Sequence, residues 1–269
     1  MESEGLKQFL KVVGDAVHSI NTICVGLAAV REGAVKKPDD LTIGWTSSNP
    51  ETSASKARTF ALRASLVFVE EALLKYLDFL KDCSNEGESL YKALSTEGSA
   101  DRVVEVSKYF SGAEPYWCPM VVLLVRWRNR VVHNSKVGLA PFQRKILLEN
   151  KELIKKRHAG IDIQKTLENF DSSQITLKDF TTLIAIAVRY VRALDKQLEP
   201  QLNTINGFIS RLEQRGLVEV FDNVMKANGE STRRRKLRSF LDTEFSKIPD
   251  TFFEEIFQYG PIRQIDALK

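Results

Sequence analysis

The sequence predicts an all-α protein. Apolar residues recur at intervals of three and four over residues 6–31, the spacing that places them on one face of a helix. Residues 56–82 are apolar on nearly every side of the helix that they would form, which is typical of a helix buried at the centre of a bundle. We find no internal repeat and no alternation of apolar and polar residues of the kind shown by a half-buried strand. These patterns indicate helices packed on helices.

The first two predicted helices are separated by a long polar segment. The first covers residues 6–31, and Gly33 is its expected end. Turn-forming residues dominate about 33–55, so we expect a long loop there, with at most one short strand or turn next to Trp45. The central helix then covers 56–82, preceded by several N-cap candidates in Thr52–Ser55.

Shorter helices are predicted for the rest of the chain. In the first 199 residues they cover 101–110, a segment from Pro119 to about Asn134, 141–158 and 176–197. We expect a break at Leu198-Glu199-Pro200, because the residue before a proline disfavours helical geometry. Four short amphipathic helices follow, at about 201–213, 217–227, 231–246 and 250–259. We therefore divide the chain into a helical bundle, residues 1–199, and a C-terminal helical extension or subdomain, residues 200–269.

Composition excludes several classes of protein. With 43% hydrophobic and 28% charged residues, the chain has a globular rather than a disordered composition. Its three cysteines are far apart and it has only three histidines, so we expect neither a disulfide framework nor a zinc site, and no cofactor. The acidic start, Met1–Glu4, is unlike a signal peptide, and we find no apolar run of about 18 residues. We therefore expect a cytoplasmic protein without a membrane segment.

Chemistry is concentrated in the segment Pro119–Ser135, which reads PMVVLLVRWRNRVVHNS. Its polar part holds three arginines, an asparagine and a histidine within eight residues: Arg126, Arg128, Asn129, Arg130 and His133. On a helical wheel four of these share one face, at positions i, i+3, i+4 and i+7. Arg128 instead projects from the Val/Leu face. Because Asn129 precedes His133 by four residues, its side chain is expected to steady the imidazole.

Arg128 has two interpretations. A buried arginine without a partner is costly, so either something anionic meets the guanidinium or the helix is near its end there. The structural alternative is a solvated basic face, with Arg128 paired to a core carboxylate such as Glu70 or Glu71. The functional alternative is an anionic ligand.

The run Arg128-Asn129-Arg130-Val131-Val132-His133 resembles the Arg-x4–6-His signature of the HEPN superfamily of helical ribonucleases. The resemblance covers about residues 56–197 and implies a HEPN-like helical bundle. It implies metal-independent RNA cleavage, in which the ribose 2′-OH attacks the adjacent phosphate and leaves a 2′,3′-cyclic phosphate. His133 would be the general acid/base, Arg128 the cation that stabilises the phosphoryl oxygens, and Asn129 an orienting residue. Arg126 and Arg130 would contact the RNA backbone.

The resemblance also implies partners. The chain supplies one histidine in this motif, and HEPN proteins place two copies across a two-fold axis, so a homodimer with a composite active site is implied. Arg128 would then border the interface. A toxin or effector of prokaryotic antiviral defence, with an antitoxin or regulatory partner, is the implied role. Ser135 replaces the tyrosine that some family toxins carry two residues after the histidine, which argues against neutralisation by nucleotide transfer there. The alternative is a non-catalytic helical module that dimerises and binds RNA, nucleotide or a partner protein.

The sequence contains two other basic features, and each of them has two possible interpretations. The cluster from Arg233 to Arg238 either grips RNA phosphates or forms a solvated helix start. His158, after three basic residues at a predicted helix C-terminus, is either functional or a structural residue favoured by the helix dipole.

Overall fold

The structure, a computed structural model, describes the backbone of residues 2–45, 49–84, 89–109, 113–202, 204–245, 248 and 250–262. The side chains of residues 197–202 and 214 lie outside this description. Within these ranges the chain forms thirteen helices and no strand, which confirms the all-α class.

The helices follow one another along the chain without long interruptions, apart from the segment between the first two. Their bounds are α1 Glu4–Arg31, α2 Pro50–Asp82, α3 Ser89–Leu94, α4 Ser99–Ser107, α5 Trp117–His133, α6 Pro141–Glu149, α7 Lys151–Arg157, α8 Ile163–Asp171, α9 Leu177–Leu202, α10 Ile205–Gln214, α11 Val218–Met225, α12 Glu230–Glu244 and α13 Asp250–Tyr259.

Three predicted boundaries were wrong. The central helix α2 begins at Pro50 rather than residue 56, because the Asn49 side chain accepts a hydrogen bond from the Thr52 N–H and Pro50 starts the helix. The segment predicted as one helix, 141–158, is divided at Asn150 into α6 and α7. Helix α9 continues through Pro200 to Leu202, so the expected break is not observed.

The buried apolar residues form two clusters. The larger one extends from Leu6 to Leu194 and is built around α2, α5 and α9, the helices with the most buried residues in the part of the chain that the structure describes. The smaller one extends from Phe208 to Ile262 and is formed by residues of α10 to α13 together with Ile248 and Ile262. The division of the chain into domains at residue 200 stays a prediction.

Helix α1 has a composition that the sequence analysis did not single out. By length and composition this helix could cross a membrane. Its most apolar stretch of 18 residues has a mean hydropathy of 1.4, and 11% of that stretch is buried. Signal sequences and the core helices of soluble proteins can have the same length and composition. The cytoplasmic location therefore stays a prediction.

Candidate active site

The helix that carries the motif, α5, is anchored by its apolar first half. Pro119 lies in its first turn, where the missing N–H costs nothing, and the six residues Met120–Val125 are all buried. The helix ends at His133 because Asn134 adopts a left-handed conformation, with φ 50°. His133 is thus the last helical residue, and its side chain is exposed.

Arg128 brings the predicted catalytic residues together. Its Nη1 donates a hydrogen bond to Asn129 Oδ1 at 3.2 Å and lies 3.0 Å from His133 Nε2. A guanidinium has only donors, so Nε2 is the acceptor in this contact. The structure therefore joins a cation and the lone pair of a potential base at the surface end of α5.

The orienting role predicted for Asn129 takes a different form. We expected its side chain to steady the imidazole directly, across one helical turn. Instead, Asn129 Oδ1 accepts from Arg128, and Arg128 contacts His133. The long Arg128 side chain extends from the apolar face of the helix to both Asn129 and His133. A helical wheel does not show this, because it gives only the direction in which each side chain leaves the helix.

The inner end of Arg128 meets an acidic residue of the same chain. Its Nε lies 3.2 Å from Oε2 of Glu70, a carboxylate of α2 with no exposed side-chain surface. Burial raises the pKa of Glu70 above its ordinary value, because it outweighs the opposing charge of Arg128, and neighbouring Glu71 raises it further. Glu71 itself is exposed and pairs with Lys75 at 3.4 Å.

This ion pair resolves the two interpretations of Arg128 in favour of a core carboxylate. Glu70 alone accounts for an arginine among valines, so a second subunit is not needed to explain its position. The expectation that Arg128 marks a subunit interface loses that support, and the unusual position of Arg128 no longer argues for a catalytic role. What remains is the far end of the guanidinium, which is held against Asn129 and His133.

The two arginines predicted to contact RNA have partners within the chain. Arg126 Nη2 lies 3.5 Å from Asp101 Oδ1. Arg130 donates to the carbonyl oxygens of Phe170, at 2.8 Å, and Asp171, and its guanidinium lies 3.9 Å from the centroid of the Phe170 ring. Arg130 thereby satisfies carbonyl groups at the C-terminus of α8. Their RNA contacts stay predictions.

Three exposed apolar residues close to His133 in the sequence were not anticipated. Val132, Val137 and Phe142 lie within ten residues of His133 along the chain and are 45%, 52% and 57% exposed. Exposed apolar side chains are typical of protein–protein contacts where they form a continuous patch. The signal in the sequence was weak, because Val132 follows Val131 in the motif helix and the other two have no apolar run around them.

The other basic features have structural partners. His158 is buried, with Arg189 Nη1 3.0 Å from Nδ1 and the Tyr116 hydroxyl 3.1 Å from Nε2. Burial, followed by the charges of Arg189 and Arg157, lowers the pKa of His158 to about 4. In the part of the chain that the structure describes, no group of three or more His, Cys, Asp or Glu residues could hold a metal ion.

The arginines of α12 contact α13. Arg234 Nη1 lies 2.7 Å from Glu254 Oε1, and Arg238 Nη2 lies 2.7 Å from Asp250 Oδ1. The Arg234 and Arg238 guanidinium groups also stack on the rings of Phe257 and Phe253. These contacts favour a structural role for much of the basic cluster.

Comparison with known proteins gives no significant match: no protein-family model, curated protein or solved structure matches this chain. The HEPN resemblance therefore depends on the motif residues of α5 and on the geometry around them.

Proposed function

We propose that the protein is a metal-independent endoribonuclease of the HEPN type. The observation that supports this most directly is the contact between Arg128 Nη1 and His133 Nε2, at 3.0 Å, at the exposed end of α5. Cleavage by an internal 2′-OH needs a proton acceptor, a proton donor and a cation for the charge that develops on the phosphoryl oxygens. Arg128 and His133 are residue types suited to all three tasks.

In the proposed reaction, the unprotonated Nε2 of His133 accepts the proton of the ribose 2′-OH. The 2′-oxygen forms a bond to phosphorus, and the bond from phosphorus to the 5′-oxygen breaks. When the phosphate binds beside the imidazole, Arg128 Nη1 keeps its place and donates to a non-bridging phosphoryl oxygen instead of to Nε2, and its charge stabilises the transition state. A protonated histidine gives its proton to the 5′-oxygen, so the products are a 2′,3′-cyclic phosphate and a 5′-hydroxyl.

The proton donor is proposed to be His133 of a second copy. Val132, Val137 and Phe142, exposed apolar residues within ten positions of His133 in the sequence, are the side chains through which we propose self-association. A two-fold axis there would bring each His133 towards its mate. A cytoplasmic toxin or effector of prokaryotic antiviral defence, restrained by an antitoxin or regulatory partner, is the role proposed with this activity.

One observation favours a second candidate, a non-catalytic helical module that dimerises and binds RNA, nucleotide or a partner protein. Arg126 and Arg130, the expected RNA contacts, are paired within the chain. Neighbouring Arg144 is also paired, with its Nη2 2.7 Å from Asp171 Oδ1. Because these arginines are paired, fewer cations are left near His133 than a groove that binds a long stretch of RNA backbone requires.

The two candidates are distinguished by incubating RNA with the protein in EDTA and analysing the ends of any products. We expect 2′,3′-cyclic phosphate ends from the wild type, and a loss of at least about a hundredfold in His133→Ala, because general acid–base catalysis contributes at least that much. His18→Ala is the matched control, since His18 is an exposed histidine on α1. Undiminished cleavage by His133→Ala contradicts the proposal, and RNA that is bound but never cut supports the binding module.

A further inference from the structure

The two ends of the Arg128 guanidinium face different environments. Nε faces the interior, 3.2 Å from Glu70 Oε2, and Nη1 faces the surface, within 3.2 Å of Asn129 Oδ1 and 3.0 Å of His133 Nε2. The contact with Glu70 is an ion pair whose geometry is not that of a hydrogen bond. The guanidinium is planar and rigid, so the attraction of the carboxylate for its inner end also acts on the direction of Nη1.

Glu70 is built into the centre of the bundle. Its side chain has no exposed surface, while the Arg128 side chain is 19% exposed. A carboxylate that is completely covered cannot contact RNA, so any effect that it has on chemistry must pass through Arg128. A buried ion pair is often no more stabilising than apolar residues of the same volume, so stability alone is a weak reason for a charge at this position.

We propose that Glu70 is a positioning residue of the candidate active site, holding the Arg128 guanidinium in the orientation that presents Nη1 to His133 and to a phosphate bound there. The inference rests on the proposed function for its effect on cleavage, but the positioning itself is a property of the unliganded protein. The chain offers a matched control in Glu71, the adjacent acidic residue of α2, which is exposed and paired with Lys75.

The first test is kinetic. Glu70→Gln preserves the shape of the side chain and removes its charge, and we expect it to lower kcat about 10- to 100-fold, the usual effect of losing an outer positioning partner, with KM little changed. Glu71→Gln should cleave like the wild type. In a double-mutant cycle, Glu70→Gln should add nothing to Arg128→Ala, because Glu70 acts only through that residue. A fully active Glu70→Gln, or losses that multiply in the double variant, would overturn the proposal.

The second test does not need activity. The NMR signals of the Arg128 Nε–Hε group and the His133 ring nitrogens should both move in Glu70→Gln and stay in place in Glu71→Gln. If the wild-type protein cuts no RNA but both signals move in Glu70→Gln, the ribonuclease proposal is rejected and the positioning role is kept. Unmoved signals reject the positioning role whatever the activity.

A further variant covers the case in which Glu70→Gln does not fold. Arg128→Lys keeps a charge beside Glu70 but has a single ammonium group, which cannot span Glu70 and His133 together. We expect a loss of kcat as large as that predicted for Glu70→Gln, with the fold intact by circular dichroism. A folded Arg128→Lys protein with wild-type kcat would overturn the proposal.

Discussion

His133 and His158 show how surroundings give one residue type two different roles. His133 is exposed at the end of α5, and one of its ring nitrogens faces an arginine that is partly exposed. Both ring nitrogens of His158 have partners, and its pKa is lowered to about 4. At neutral pH His158 therefore stays neutral in the folded protein, which suits a structural residue. The exposed His133 is open to solvent, as the proposed reaction with an RNA phosphate requires.

The buried state of His158 predicts acid sensitivity. Its folded pKa, about 4, is below the unfolded value of about 6.5, so between these values the unfolded chain binds the proton and the folded chain does not. Its contribution to the free energy of unfolding should therefore fall as the pH falls from about 6.5 to about 4, by on the order of 3 kcal/mol in all.

Urea unfolding over this pH range measures the effect. His158→Gln should flatten the dependence of the free energy of unfolding on pH, whereas His18→Gln, at an exposed position, should leave the wild-type slope. An equally steep dependence in His158→Gln would contradict a neutral buried imidazole.

At the residue scale, the sequence was sufficient to find the motif but not its partner. The helical wheel showed that Arg128 conflicts with its apolar face, and the cost of burying a charge left two explanations, an anion nearby or the end of the helix. Glu70 and Glu71 were equal candidates, because adjacent residues of α2 differ only in which side of the helix they occupy. Choosing Glu70 needed the packing of α2 on α5, which brings Oε2 to 3.2 Å from Arg128 Nε.

At the scale of elements, periodicity predicted most of the helices, including four short ones after residue 200 that the structure has as α10 to α13. The motif helix is where the sequence indicated, and Asn134 ends α5 as expected, whereas the central helix was predicted to begin six residues too late. Helix α8 was missed, although α4 has the same length and was predicted. Pro200 was given too much weight, since a proline can be accommodated within a helix at some cost.

Arg130 is predicted to stabilise the contact between α5 and α8. Arg130→Met removes two hydrogen bonds to carbonyl oxygens of α8 and the contact with the Phe170 ring, so we expect a loss of about 1–2 kcal/mol in the free energy of unfolding. Arg126→Met breaks a partly exposed ion pair and should cost less than about 1 kcal/mol.

Chemical denaturation of the two variants, with RNA affinity measured alongside, separates structure from recognition. An Arg130→Met protein with wild-type stability and weakened RNA binding would instead identify Arg130 as an RNA contact.

At the scale of the whole molecule, the exposed apolar residues close to His133 in the sequence bear on how the proposed site is completed. The proposed composite site requires self-association, for which these residues are the proposed contacts, so Val137→Glu should weaken self-association and make cleavage depend more steeply on protein concentration. Val220→Glu is a matched control, because Val220 on α11 is 47% exposed, close to the 52% of Val137. Sedimentation velocity over a concentration series measures the association. A Val137→Glu protein that associates like the wild type would place the interface elsewhere.

In the proposed mechanism His133 and Arg128 cleave RNA by attack of the ribose 2′-OH on the adjacent phosphate. One pair of substrates tests this mechanism directly. The first is an oligoribonucleotide with a single cleaved linkage, and the second is the same molecule with a 2′-deoxyribose on the 5′ side of that linkage. In EDTA, wild-type protein should cut the first to a 2′,3′-cyclic phosphate and leave the second intact, and His133→Ala should cut neither. Cleavage of the deoxy-substituted substrate, or equal cleavage of the ribose substrate by His133→Ala, would contradict the mechanism.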